Sequence, residues 1–82
     1  MKATVLVRPK DGILDPQGEA VTSSLRHLGF SVREARIGRV VDLELETDDP
    51  ELAHDEIRRM CDRLLANPLI ESYEIRLGEN GA

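Results

Sequence analysis

Tryptophan is absent and the only aromatic residues are Phe30 and Tyr73, so no adjacent pair of rings exists on which successive nucleic-acid bases would stack. A basic excess is lacking too. Eleven lysines and arginines stand against sixteen acids, giving a formal charge of -5, and the cations are dispersed instead of forming a run that tracks a phosphate backbone. Nucleic acid is therefore not an expected partner. Cys61 is the only cysteine, which rules out an intramolecular disulfide and fits a reducing, cytoplasmic setting. Long hydrophobic runs are missing: the apolar stretch near the start, Ala3 to Val7, is too short for a signal-peptide core or a bilayer span, so no membrane partner is expected.

Reactive constellations are equally scarce. His27 and His54 have no metal-ligand spacing around them, and His54 with Cys61 supplies two ligands where a tetrahedral site needs four. Ser23-Ser24 lacks the glycines of a nucleophile elbow. Gly12 and Gly18 do not build a G-x-G-x-x-G motif and no G-K-[ST] triplet occurs, so a nucleotide cradle is not expected. The acid pairs Asp48-Asp49 and Asp55-Glu56 diverge on a helix and suit a helix dipole better than acid-base work. No catalytic residue, metal ligand or bound cofactor is expected on this chain.

What is present is a pattern of short elements. At 82 residues the chain reads as one domain spanning 1–82, able to hide only about 60–65% of its unfolded surface, so a deep catalytic cavity is costly and association is favoured. Lys2 to Arg8 alternates like a strand. Asp15-Pro16 reads as a helix cap followed by proline at the first helical position, with Ala20, Val21, Leu25 and Leu28 as one buried stripe and Gly29 as the stop, predicting a helix over about 16–28. Phe30 to Glu46 reads as a β-hairpin about Ile37-Gly38-Arg39, where Gly38 would take a positive φ; either a bulge near Arg33 or Glu34 reconciles the phases of the first arm, or both its faces are covered and a second chain supplies the cover. Asp49-Pro50 opens a second amphipathic helix that Asn67-Pro68 ends, and Ile70 to Leu77 forms a last strand before a frayed tail from Gly78 to Ala82.

The order β-α-β-β-α-β folds economically as an α+β domain, a four-stranded antiparallel sheet with both helices on one face, ferredoxin-like or a close variant. Leu6 and Val40 then project onto the open face as a candidate self-association surface. Arg33, Arg36 and Arg39 form the one concentration of basic charge, facing either an acidic partner or water.

One segment, Gly12-Ile13-Leu14-Asp15-Pro16-Gln17-Gly18, combines a turn, an apolar staple, a cap and a helix-opening proline, and it resembles the PurS family, the small subunit of phosphoribosylformylglycinamidine synthase. A second block, Met60-Cys61 followed by Leu64-Leu65-Ala66-Asn67-Pro68-Leu69-Ile70-Glu71-Ser72-Tyr73, is similar to that family's helix end and final strand, and Val32-Arg33 through Arg36-Ile37-Gly38-Arg39 matches as well. The likeness runs from about Thr4 to Ile75. Departures are Arg39 where lysine is usual, Leu69 where valine is usual, and Ser72 where an acid is usual, which puts a charged contact at that last position in doubt.

The resemblance implies a non-catalytic role in purine biosynthesis, in an ATP-consuming C-N ligase complex. ATP and magnesium belong to a PurL-type synthetase subunit and ammonia release to a PurQ-type glutaminase subunit. The small subunit would be a homodimer or tetramer that bridges the two and shields ammonia in transit. Candidate contacts are the cap segment Asp15, Pro16, Gln17 and Gly18, the arginines Arg36 and Arg39, and Asn67, Pro68, Glu71 and Tyr73, since corners between elements are where rigid scaffolds present binding residues. A dimeric module of ferredoxin-like plan that binds a small regulatory molecule is the competing expectation.

Overall fold

The computed structural model of the protein describes residues 1–78. Strand β1 is Lys2–Pro9, helix α1 Pro16–His27, strand β2 Arg39–Glu44, helix α2 Pro50–Met60 and strand β3 Glu71–Leu77; a π-helical turn, Cys61–Leu65, extends α2. Both helix starts follow the expected chemistry. Asp15 caps α1 by accepting from Gly18 N–H, and Asp49 caps α2 by accepting from Glu51 N–H, each with proline in the first turn, where its missing N–H costs nothing. Gly29 takes a φ of 98° just past α1, the left-handed stop that glycine adopts freely.

The sheet is antiparallel, three-stranded and ordered β2-β1-β3. Alternation sends Ala3, Val5 and Val7 of β1 to the inner face, where they are buried, flanked by half-buried Val41 and Leu43 of β2 and Tyr73, Ile75 and Leu77 of β3. Helix α2 closes this face with Ala53 and Ile57, joined by Cys61, and leans toward β3. On the outer face, Leu6 and Val40 are paired partners, with Val40 60% exposed, while Thr4 donates to Asp42 Oδ1 at 3.0 Å.

Three expectations need correction. The fourth strand does not form within the chain: residues 30–38 run without sheet pairing, and Gly38 does not have a positive φ. The cause is local. Ala35 N–H donates to Thr22 Oγ1 at 2.8 Å, Ile37 N–H donates to Asp15 Oδ2 at 2.9 Å, and Arg26 donates to the carbonyls of Val32 and Arg33, both at 2.7 Å. These groups are committed to α1 and unavailable to a β ladder on that side. Gly38 instead serves a close approach, since a Cβ there would collide with the backbone carbonyl of Val7.

The second correction is that the helices do not share one face. Helix α1 has no substantial packing against the sheet or α2, Gly18 is its one buried residue, and of the stripe meant for the core Leu25 is half-buried while Val21 and Leu28 are exposed, Leu28 to 71%. The molecule is accordingly long, 47 × 27 × 14 Å, with a radius of gyration of 15.5 Å where a compact chain of this length has about 12 Å. The third concerns Gly78, which is not frayed: its N–H donates to Lys2 O at 2.8 Å. The rest of the expected tail lies outside the described residues.

Candidate subunit interface

Two constructed corners carry most of the residues singled out in the sequence. At the first, the Asp15 carboxylate ties three stretches of chain together, accepting at one oxygen from Gly18 N–H at 3.0 Å and at the other from Ile37 N–H at 2.9 Å. The bond from Ile37, then that from Gly18, holds its carboxyl below the usual carboxylate range. Gly18 is buried because Ala35 O and the Asp15 side chain close over it and leave no room for a Cβ. Pro16 and Gln17 remain exposed beside this knot. Arg36 turns to the preceding loop, donating to Asp11 Oδ1 at 2.9 Å and to Pro9 O, so it braces the loop between β1 and α1.

The second corner is organised by Glu71. Arg39 meets it two-pronged, Nη1 to Oε2 at 2.7 Å and Nη2 to Oε1 at 2.9 Å, and also donates to Leu65 O at 2.6 Å. Planar forks matched to carboxylates are the stronger kind of ion pair. Glu71 Oε1 further accepts Asn67 N–H at 2.7 Å, Asn67 Oδ1 accepts Leu69 N–H at 3.1 Å, and Asn67 O accepts the N–H groups of Ile70 and Glu71. Lys10 seals the outside, its Nζ donating to Pro68 O at 2.6 Å. Arg39, then Asn67, holds the Glu71 carboxyl below its ordinary value, and the hydrogen bonds to Glu71 in turn raise Arg39 above its own.

The structure thus brings Asp15, Gly18 and Ile37 to one corner and Arg39, Asn67, Pro68 and Glu71 to the other. Tyr73 belongs to neither, because strand alternation turns its ring toward the inner face among the core side chains. Two residues not singled out stand at the second corner: Leu64 and Leu69, each 82% exposed on either side of the Asn67 turn. The doubled pairs Leu64-Leu65 and Leu69-Ile70 were the available signal, since one helical or turn segment cannot bury both members.

Chemically, these corners hold shape. Cys61 is fully buried and desolvation raises its thiol away from nucleophilic use. Among the described residues no group of three or more histidine, cysteine or acidic side chains is placed to hold a metal ion, and no helix is long and apolar enough to cross a membrane.

Comparison with known proteins agrees with this arrangement. The family model described as PurS: Phosphoribosylformylglycinamidine (FGAM) synthase matches residues 2–79. The phosphoribosylformylglycinamidine synthase subunit PurS of Methanocaldococcus jannaschii is 39% identical over 77 residues, covering 93% of each chain. Among solved structures, Bacillus subtilis PurS superimposes with a TM-score of 0.84 at 38% identity, covering 95% of this chain and 98% of that one. A chain of the Thermotoga maritima PurLQS structure superimposes with a TM-score of 0.83 at 34% identity, covering 92% and 93%.

Proposed function

This chain belongs to the PurS family of FGAM synthase subunits, and from that membership we propose that it holds the synthetase and glutaminase subunits together, as the non-catalytic small subunit of this ligase in purine biosynthesis. The observation that carries the reading is the likeness, over nearly the full length, to a chain of a structure containing PurL, PurQ and PurS together. ATP and magnesium are assigned to the synthetase subunit and glutamine cleavage to the glutaminase, with the complex in the cytoplasm and this chain, one domain over 1–82, helping to shield ammonia between them.

Within that role the corner of Arg39, Asn67, Pro68 and Glu71, capped by exposed Leu64 and Leu69, is assigned to a larger subunit, and the cap segment Asp15 to Gly18 with Arg36 to the other contact. A rigid turn bearing apolar tips suits docking, because little chain entropy remains to be lost on binding. The fourth strand of the β-α-β-β-α-β plan is assigned to the assembled state, where residues 30–38 meet a sheet edge. The test is to mix the purified chain with its synthetase and glutaminase on a sizing column with ADP, magnesium and glutamine. All three are expected to co-elute, and a small chain that always elutes alone would refute the reading.

A further inference from the structure

The loop between β1 and α1 holds a reactive dipeptide that the assembly role does not use. Asp11 is followed by Gly12, and the Asp11 side chain is fully exposed. Gly12 has a φ of 83°, a Cβ placed there would meet nothing within 4 Å, and its N–H makes no hydrogen bond among the described residues. An aspartyl side chain attacked by the next residue's nitrogen closes a five-membered ring. A following glycine opposes that closure least, having no Cβ to crowd the ring and a backbone free to turn. We propose that Asp11-Gly12 is a site of isoaspartate formation, restrained in the folded chain by Arg36, and thereby a substrate for methyltransferases that recognise the isoaspartyl carboxylate.

The other aspartates show why this one stands apart. Asp15 and Asp49 precede proline, which has no N–H to lose. Asp48 precedes Asp49, whose N–H is already given to Thr47 Oγ1 at 3.1 Å. Asp42 lies in β2, Asp55 in α2 and Asp62 in its π-helical extension, where regular structure holds the backbone and the next residue carries a side chain. Asp11 alone combines a loop, a glycine and an unbonded amide.

The reaction needs no reagent but water. Gly12 N attacks Asp11 Cγ; a C–N bond forms, the bond to one carboxyl oxygen breaks, and that oxygen leaves as water with the amide proton and the proton of the carboxyl group. Water then adds to the main-chain carbonyl carbon of Asp11, and the bond from that carbon to Gly12 N breaks. The chain now runs through Cβ and Cγ, one carbon longer, and the former main-chain carbonyl is a free carboxylate. Arg36 opposes the first step. Its Nη1 donates to Asp11 Oδ1 at 2.9 Å while Nη2 donates to Pro9 O, and Nε lies 3.7 Å from Glu34 Oε1. The guanidinium therefore ties the carboxylate to the end of β1 and must release it before Cγ swings onto Gly12 N.

The test ages the full chain in warm neutral buffer and probes it with an isoaspartyl methyltransferase and labelled S-adenosylmethionine. Peptide mapping keeps Asp11 apart from Asn80-Gly81, a second source of isoaspartate by sequence. Label is expected to accumulate on the peptide carrying Asp11 ahead of those carrying Asp48, Asp49 or Asp55. Asp11→Glu, whose longer side chain cannot close the five-membered ring, is expected to lose it. Arg36→Ala is expected to label about two- to fivefold faster, the range an exposed ion pair supports, and in concentrated guanidinium chloride the two proteins are expected to age at equal rates. Arg36→Gln takes the place of Arg36→Ala if circular dichroism shows the latter unfolded. An Asp11 peptide that labels no faster than the others, a folded Arg36 variant that ages at the parental rate, or a difference that survives in denaturant would overturn the proposal. Co-elution with the larger subunits is unaffected by any of these outcomes, so the assembly role is tested separately.

Discussion

At the scale of single residues, stability is concentrated in very few side chains. Ile57 is fully buried against β1 and Cys61, and Ile57→Ala removes buried methyl groups at a cost of about 2–5 kcal/mol. A chain of this length has only about 4–12 kcal/mol in total, so denaturant titration of this variant is expected to show a midpoint well below that of the unmodified protein, with a similar slope. Asp15 and Glu71 make the molecule sensitive to acid. Both carboxyls titrate lower in the folded chain than in the unfolded one, Asp15 through Ile37 N–H first and Glu71 through Arg39 first. Their stabilisation is therefore fully present above the ordinary carboxylate range and is lost as pH falls through the depressed folded values. The melting temperature is expected to be flat near neutrality and to drop in acid, with a shallower drop in Asp15→Asn; equal slopes for the two proteins would contradict the assignment. Gly38→Ala is expected to destabilise the native chain, because the added carbon meets the Val7 backbone.

At the scale of elements, the two helices are opened alike and supported very differently. Asp49→Ala removes the acceptor for Glu51 N–H at about 1 kcal/mol, a fall in melting temperature of roughly 4–8 °C for a domain this small. Helix α1 has a comparable cap but is covered only by the extended stretch 32–37 and not by the sheet or α2, and a short helix gains most of its stability from packing. In hydrogen exchange on dilute protein its amides are expected to exchange well before those of α2, with protection rising as concentration increases; uniform protection at all concentrations would count against the open arm. This contrast also marks what could be read ahead of the structure. Asp15-Pro16, Asp49-Pro50 and Gly29 act through bonds within a few residues, so the sequence shows them directly. The alternation of Ala3, Val5 and Val7 against Val41, Leu43, Tyr73 and Ile75 likewise specifies three strands. The stripe of Val21, Leu25 and Leu28 says that a face is apolar but not what covers it. The hairpin about Gly38 failed because Thr22 and Asp15, distant in sequence, take the amides that a neighbouring strand would need. Of the candidate interface, Arg39 on one side and Asn67 and Glu71 on the other were named separately from the sequence, and only the fold joins them at one corner; the exposure of Leu64 and Leu69 was signalled by their doubled apolar pairs but their place beside the Asn67 turn was not.

At the scale of the whole molecule, rigidity at the Glu71 corner and openness along α1 divide the surface into two kinds of contact. Leu69→Asp alters an exposed tip and no core residue, so its melting temperature is expected to match the unmodified protein while its retention with the synthetase and glutaminase on a sizing column falls at least tenfold in apparent affinity. An unchanged elution profile would remove this corner from the docking surface. The sheet order β2-β1-β3 carries a last implication, for biosynthesis. The strand made first lies in the middle, with Val5 opposite Val41 on one flank and Ile75 on the other. During synthesis β1 therefore keeps one edge unpaired until β3 has been made, and through that interval the open edge of the central strand is available for unwanted pairings.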